Sequence, residues 1–157
     1  MLEKCMCYNF CDYEQADRVI RIMFGIITFG MGLTIPAEEQ EICVQLARPG
    51  YAALSLVNDL YSWKKERLAA ERDGADHVFN AIWVIMKERC VDEADAVAIC
   101  REEVQKYISA YCRIVEDSKK DSRISREVKT YLEAMQQCYV GNLVWSISCP
   151  RYHSVWI

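Results

Sequence analysis

Apolar residues return every three to four positions along almost the whole chain, and no segment alternates apolar and polar in the manner of a strand. Residues 12–33 read as one apolar helix. Thr34 then suits an N-cap, Pro36 a first turn, and Glu38 and Glu39 follow as helix-start acids, so a helix is predicted to about Leu46. Arg48-Pro49-Gly50 predicts a kink or short break, and a further helix runs from Tyr51 to about Ala70. Arg72-Asp73-Gly74-Ala75 reads as a loop. Residues 76–89 form a strongly apolar helix. Residues 92–116 form an amphipathic one, with Val97, Cys100, Val104, Tyr107, Ile108 and Tyr111 on one stripe. A polar connection at 119–123 leads to a last helix over 125–149, ended by Pro150. The predicted class is all-α, an antiparallel helical bundle in a single domain of 157 residues.

Composition narrows the function classes. Hydrophobic residues make up 52% of the chain, enough for a core, and the net charge is −4 without long like-charge blocks. A nucleic-acid binder usually presents a basic face, so that class is set aside. The longest apolar run, residues 20–35, is uncharged from Ile22 to Ile35, is shorter than the ~20 residues of a membrane span and holds three glycines; it predicts a buried helix. The N-terminus lacks the basic region and apolar stretch of a secretory leader, and nine scattered cysteines suit reduced thiols, so a cytoplasmic protein is expected. Cys5, Cys7 and Cys11 lie close together, with His77 and His153 as the only histidines. That set lacks the paired ligands of a zinc site, and the thiols read as buried or incidental. Asp92-Glu93-Ala94-Asp95 reads as a solvated helix start.

The stretch NDLYSWKKE, residues 58–66, carries the candidate chemistry. On an α-helix Asn58, Ser62 and Glu66 step by four and drift across about 80° of one face, while Lys65 falls about 20° from Asn58 on the other side. Leu56, Leu60 and Trp63 point elsewhere. Three oxygen donors over two turns suit a hard divalent cation such as Mg2+. With one charged ligand among them, such a site gains strength when an anion completes it, and Lys65 can bind that anion as a point charge. The same spacing also fits a solvated helix face.

The stretch resembles the (N/D)-D-x-x-(S/T)-x-x-(K/R)-E metal-binding motif of class I terpene synthases. WSISCPRYH, residues 145–153, resembles the end of the same proteins, where a Trp precedes an Arg-Tyr pair after the last long helix. TFGMGLTIP (28–36), HVFNAIWVIMKE (77–88) and YLEAMQQCYVGNLVWS (131–146) are similar to the cyclase half of fungal bifunctional synthases of the fusicoccadiene and ophiobolin type. The likeness covers nearly the whole chain from about Ile22.

That resemblance implies a class I cyclase, in which magnesium grips the diphosphate of a linear isoprenyl substrate, of C20 or C25 length, and loss of diphosphate leaves an allylic cation to be folded and cyclised. It implies Asn58, Ser62 and Glu66 as metal ligands, and Lys65, Arg151 and Tyr152 as diphosphate binders. Trp145 is implied as pocket wall, with Phe29 a weaker candidate. Arg18 or Arg21 is implied as the arginine that senses diphosphate, although Arg18 is not followed by the family's Asp-Gly-like pair. The family's aspartate-rich D-D-x-x-D motif is not spelled upstream of Asn58. The chain is therefore expected to be the C-terminal part of a cyclase domain, about half of the family's fold, with the other half or a second copy as partner. The alternative is a non-catalytic helical remnant that binds a partner chain or an isoprenoid diphosphate without turnover.

Overall fold

The computed structural model describes residues 13–153, with side chains from residue 20 onward. These residues form helices α1 (Tyr13–Met31), α2 (Gln40–Asp73), α3 (Ala81–Arg89), α4 (Glu93–Lys120), α5 (Arg126–Ser148) and a short α6 (Pro150–His153), with a 3-10 turn at Ala37–Glu39 before α2. The expected all-α class is found, and among the described residues there is no strand.

Sequence punctuation explains most boundaries. α1 ends where Gly32 takes a positive φ of 60°, with its N–H on the Phe29 carbonyl and the Leu33 N–H on that of Thr28. This is the Schellman stop, and a left-handed residue there favours glycine. Gly74 closes α2 in the same way, through Glu71 and Ala70. Asp92 caps α4 by accepting from Asp95 N–H at 2.9 Å, and Ser125 caps α5 by accepting from Val128 N–H at 3.2 Å.

Three local expectations need correction. Thr34 is not a cap: the 3-10 turn begins after Pro36, and no side chain caps it. The helix expected from residue 76 begins at Ala81, because Asn80 is its N-cap and accepts the Ile82 N–H at 2.9 Å. Of the kink or short break predicted at Arg48-Pro49-Gly50, the break does not occur; α2 runs 34 residues without interruption through Pro49. Packing overrides the proline there. Cys43, Ala47, Gly50 and Tyr51 are all buried on one side of α2, and a Cβ on Gly50 would lie 3.2 Å from both Met135 Cγ and the Tyr111 ring. The glycine lets α2 approach α4 and α5 closely.

α2 is the central helix. Gly50 meets Tyr111 and Arg67 meets Glu93, so α2 and α4 run antiparallel. Tyr51 bonds Tyr131 early in both helices, while Asn58 reaches Tyr152 just beyond the end of α5, so α2 and α5 run in the same sense. One core, around Cys43, Tyr51, Tyr111, Tyr131, Leu132 and Met135, fills the space between the first half of α2, the second half of α4 and the first half of α5, with Ile27 of α1. A second, around Leu56, Trp63, Ile82, Ile85 and Cys100, joins the second half of α2 to α3 and the start of α4. Among the described residues no helix is long and apolar enough to cross a membrane. The run expected to be a buried helix is buried on one side only: Ile27 is covered, but Ile22, Ile26 and Phe29 are exposed.

Candidate metal centre

The second half of α2 presents Asn58, Ser62 and Glu66 one turn apart, as an uninterrupted helix must. Ser62 is buried, Asn58 and Glu66 are half-buried, and Lys65 is exposed with no ion pair to any described residue. Two neighbouring elements close on this stripe. α6 brings Tyr152, whose hydroxyl accepts a 2.7 Å hydrogen bond from Asn58 Nδ2. The start of α3 brings Asn80, whose Nδ2 donates to Glu66 Oε2 at 2.9 Å, to the Asp59 carbonyl at 2.9 Å and more weakly to Ser62 Oγ at 3.4 Å.

The C-terminal residues form a small aromatic corner. Tyr152 is buried, with the Trp145 ring edge-on at 5.5 Å and Tyr61 tilted at 6.5 Å. The exposed Arg151 guanidinium lies 6.0 Å from the Tyr152 ring centroid. His153 anchors the turn: its Nε2 pairs with the Ser146 carbonyl at 2.9 Å, and its ring meets Tyr61 edge-on at 6.4 Å. Burial raises the Tyr152 hydroxyl's pKa; Arg151 and the Asn58 hydrogen bond pull it down, and the Glu66 charge pushes it up. Arg151, Tyr152, Asn58 and Glu66 thus share one electrostatic neighbourhood. Trp145 is half exposed on α5. Phe29 is 91% exposed on α1 and makes no ring contact with a described residue. The Arg18 side chain lies outside the description, as do Cys5, Cys7 and Cys11; Arg21 is exposed on α1.

Asp59 and Asn80 were not among the sequence-derived site residues. Asp59 sits inside the motif but one residue, about 100°, off its stripe. Its Oδ2 accepts the Ala81 N–H at 2.8 Å, tying the start of α3 to α2. Burial pushes its carboxyl up to about 7; the Ala81 N–H opposes that rise and the Glu66 charge adds to it. The available signal for Asn80 was a lone amide just before the apolar run AIWVIM, an N-cap pattern.

The donor chemistry fits a hard divalent cation. Among the described residues, Asn58 Oδ1 and Glu66 Oε1 accept no hydrogen bond, and Ser62 Oγ has only the long Asn80 contact. Each of the three side chains therefore keeps an oxygen lone pair for a ligand, the kind of donor such ions take. No cluster of three or more His, Cys, Asp and Glu is found among the described residues.

Residues 11–110 match the family model described as terpene synthase family 2, C-terminal metal binding, and the chain belongs to that family. The resemblance read from the motif is borne out at that level. The chain is similar to fusicoccadiene synthase of Phomopsis amygdali, 46% identical over 92% of this chain and 20% of the relative. It is 39% identical to a bifunctional sesterterpene synthase of Aspergillus aculeatus, over 93% and 21%. To ophiobolin F synthase oblA of Cochliobolus heterostrophus it is 35% identical, over 92% and 19%. The chain spans about a fifth of the length of these curated relatives.

Proposed function

We propose that residues 1–157 are the C-terminal part of a class I terpene cyclase domain, which binds Mg2+ and the diphosphate of a linear isoprenyl substrate, of C20 or C25 length, for ionisation and cyclisation. The observation that carries the reading is the hydrogen bond between Asn58 and Tyr152, which joins the mid-chain motif to the C-terminal Arg-Tyr pair.

In this reading Asn58, Ser62 and Glu66 hold the cation. When bound, the ion neutralises charge on the leaving diphosphate. Lys65 and Arg151 add fixed positive charge, and the Tyr152 hydroxyl adds a donor. Such charges stabilise the leaving group as its negative charge grows, because they are in place before the bond breaks. The C–O bond breaks with its electron pair on the diphosphate oxygen, and the allylic carbon is left cationic. Trp145 then offers a ring face, worth roughly 0.5–2 kcal/mol to a nearby cation. Water must be kept from that cation, which is a demand on apolar walls.

The test is calorimetric titration of the chain with inorganic diphosphate, with Mg2+ or EDTA. Binding that needs Mg2+ and is lost in Glu66→Gln and Arg151→Ala is expected. Binding that ignores Mg2+, or survives both substitutions, overturns the assignment. Incubation with geranylgeranyl and geranylfarnesyl diphosphates and Mg2+, followed by mass spectrometry, tests the cyclisation step.

A further inference from the structure

We infer that Asn80 is a positioning residue that holds the Glu66 carboxylate in the orientation a divalent cation requires. This rests on the metal reading above.

The Asn80 amide has only one way to lie. Its backbone is extended, at φ −157° and ψ 142°, and its side chain is buried at the junction of α3 with α2. Its Oδ1 is committed to the Ile82 N–H at 2.9 Å. The Nδ2 must then face α2, where it meets Glu66 Oε2 and the Asp59 carbonyl, each at 2.9 Å. Two N–H protons meet two close acceptors, so the amide's donors are satisfied, and the 3.4 Å approach to Ser62 Oγ is secondary. The Asp59 carboxylate fixes the same corner from the other side by accepting the Ala81 N–H.

The consequence falls on Glu66. Its Oε2 is tied down, while Oε1 accepts no hydrogen bond from a described residue. One oxygen is thus presented and the other is held, which favours one-oxygen coordination and orders the side chain before the ion arrives. Outer partners of this kind orient ligating carboxylates and commonly govern metal affinity. The chemistry also selects an amide. A lysine or arginine at this place would repel the incoming cation, and a carboxylate would repel Glu66. An amide donates without adding charge.

Asn80→Ser separates this role from capping, because serine is also a good N-cap but lacks an amide able to span to Glu66. The measurement is Mg2+ affinity by calorimetry in the presence of inorganic diphosphate, beside the urea midpoint. The expected result is an affinity loss of about 10–100-fold with the midpoint near that of the parent. In the parent chain, the Asn80 side-chain amide resonances are expected to shift on adding Mg2+ with diphosphate, and their downfield position is expected to be lost in Glu66→Ala. This measurement holds even where Asn80→Ser fails to fold. Affinity in Asn80→Ser within twofold of the parent, or Asn80 amide resonances indifferent to both Mg2+ and Glu66→Ala, overturns the inference alone. A parent that shows no Mg2+ response removes the metal reading and this inference together.

Discussion

Asn58 Nδ2 donates to the Tyr152 hydroxyl at 2.7 Å across 94 positions of sequence. The bond matters because, among the described residues, the other polar and ring contacts of α6 with the body are to the end of α5 and to the Tyr61 ring. Tyr152→Phe removes the acceptor while keeping the ring among Trp145 and Tyr61. A net loss of about 1 kcal/mol is expected. Asn58→Ala should cost a similar amount, and the double variant should cost less than the sum, with a coupling of about 1 kcal/mol. Urea unfolding of the four proteins measures this. Additive costs would mean that the two side chains do not depend on one another.

Gly50 sets the closeness of α2 to its two partners. In an exposed helix Gly→Ala would stabilise by roughly 0.5–1 kcal/mol. At position 50 the new methyl would lie 3.2 Å from Met135 Cγ and from two Tyr111 ring atoms. Met135 is flexible, but Tyr111 is fully buried and its hydroxyl donates to the Leu132 carbonyl at 2.8 Å, so the ring cannot retreat cheaply. Overpacking of this kind costs typically 1–3 kcal/mol. Gly50→Ala is therefore expected to lower thermal stability by about 1–2 kcal/mol net. A thermal melt with Tm at or above the parent's would show that the ring yields.

The fold class and the main helices were legible because periodicity, caps and glycine stops are local signals. Gly74 and Asp92 mark their boundaries in the sequence alone. Pro49 was misleading because a proline's local preference says nothing about what buries the helix around it; the cover over Cys43, Ala47 and Tyr51 comes from Tyr111, Tyr131 and Met135, far along the chain. The metal stripe was legible because its three residues share one helix. Asn80 was not, since its partners Glu66 and Asp59 lie across a loop whose path no spacing rule gives. The run at Ile22–Ile35 looked buried because apolarity predicts that something covers a face, not which segment covers it.

Thiol reactivity should follow burial. Cys43 and Cys100 are fully buried, and burial pushes both thiols up to about 12, helped by Glu39 at Cys43 and by Asp59 and Glu103 at Cys100. Both stay protonated at pH 8, with thiolate about a thousandfold scarcer than for an ordinary thiol. Cys90 is exposed at the end of α3. Among the described cysteines, alkylation at pH 8, followed by mass spectrometry, should mark Cys90 first and reach Cys43 and Cys100 only on unfolding. The sign of the linkage is set by the same shifts. A folded pKa above the unfolded value gives stability that is intact below about pH 8.5 and is lost as pH rises towards 12. Tm should therefore fall between pH 9 and 11, and early labelling of Cys43 would contradict the packing.

Two helices carry apolar stripes that nothing among the described residues covers. On α1, Ile22, Ile26 and Phe29 follow the i, i+4, i+7 rhythm; on α5, Val140, Val144 and Ile147 do the same, and all six are exposed. A Cβ on Gly25, Gly30 or Gly141 would meet no atom within 4 Å, so these positions too are open. Exposed apolar area arranged in stripes rather than as scattered residues favours association. Ile22→Glu with Ile26→Lys replaces two of the α1 positions by an i, i+4 ion pair in the favourable order. Both sites are solvent-facing, so stability should change by no more than about 0.5 kcal/mol. Binding of the dye ANS and the concentration dependence of sedimentation should both decrease. If both stay at the parent's level while the fold is retained, the α1 stripe is not what drives association, and the α5 stripe is tested next with Val140→Glu and Val144→Lys.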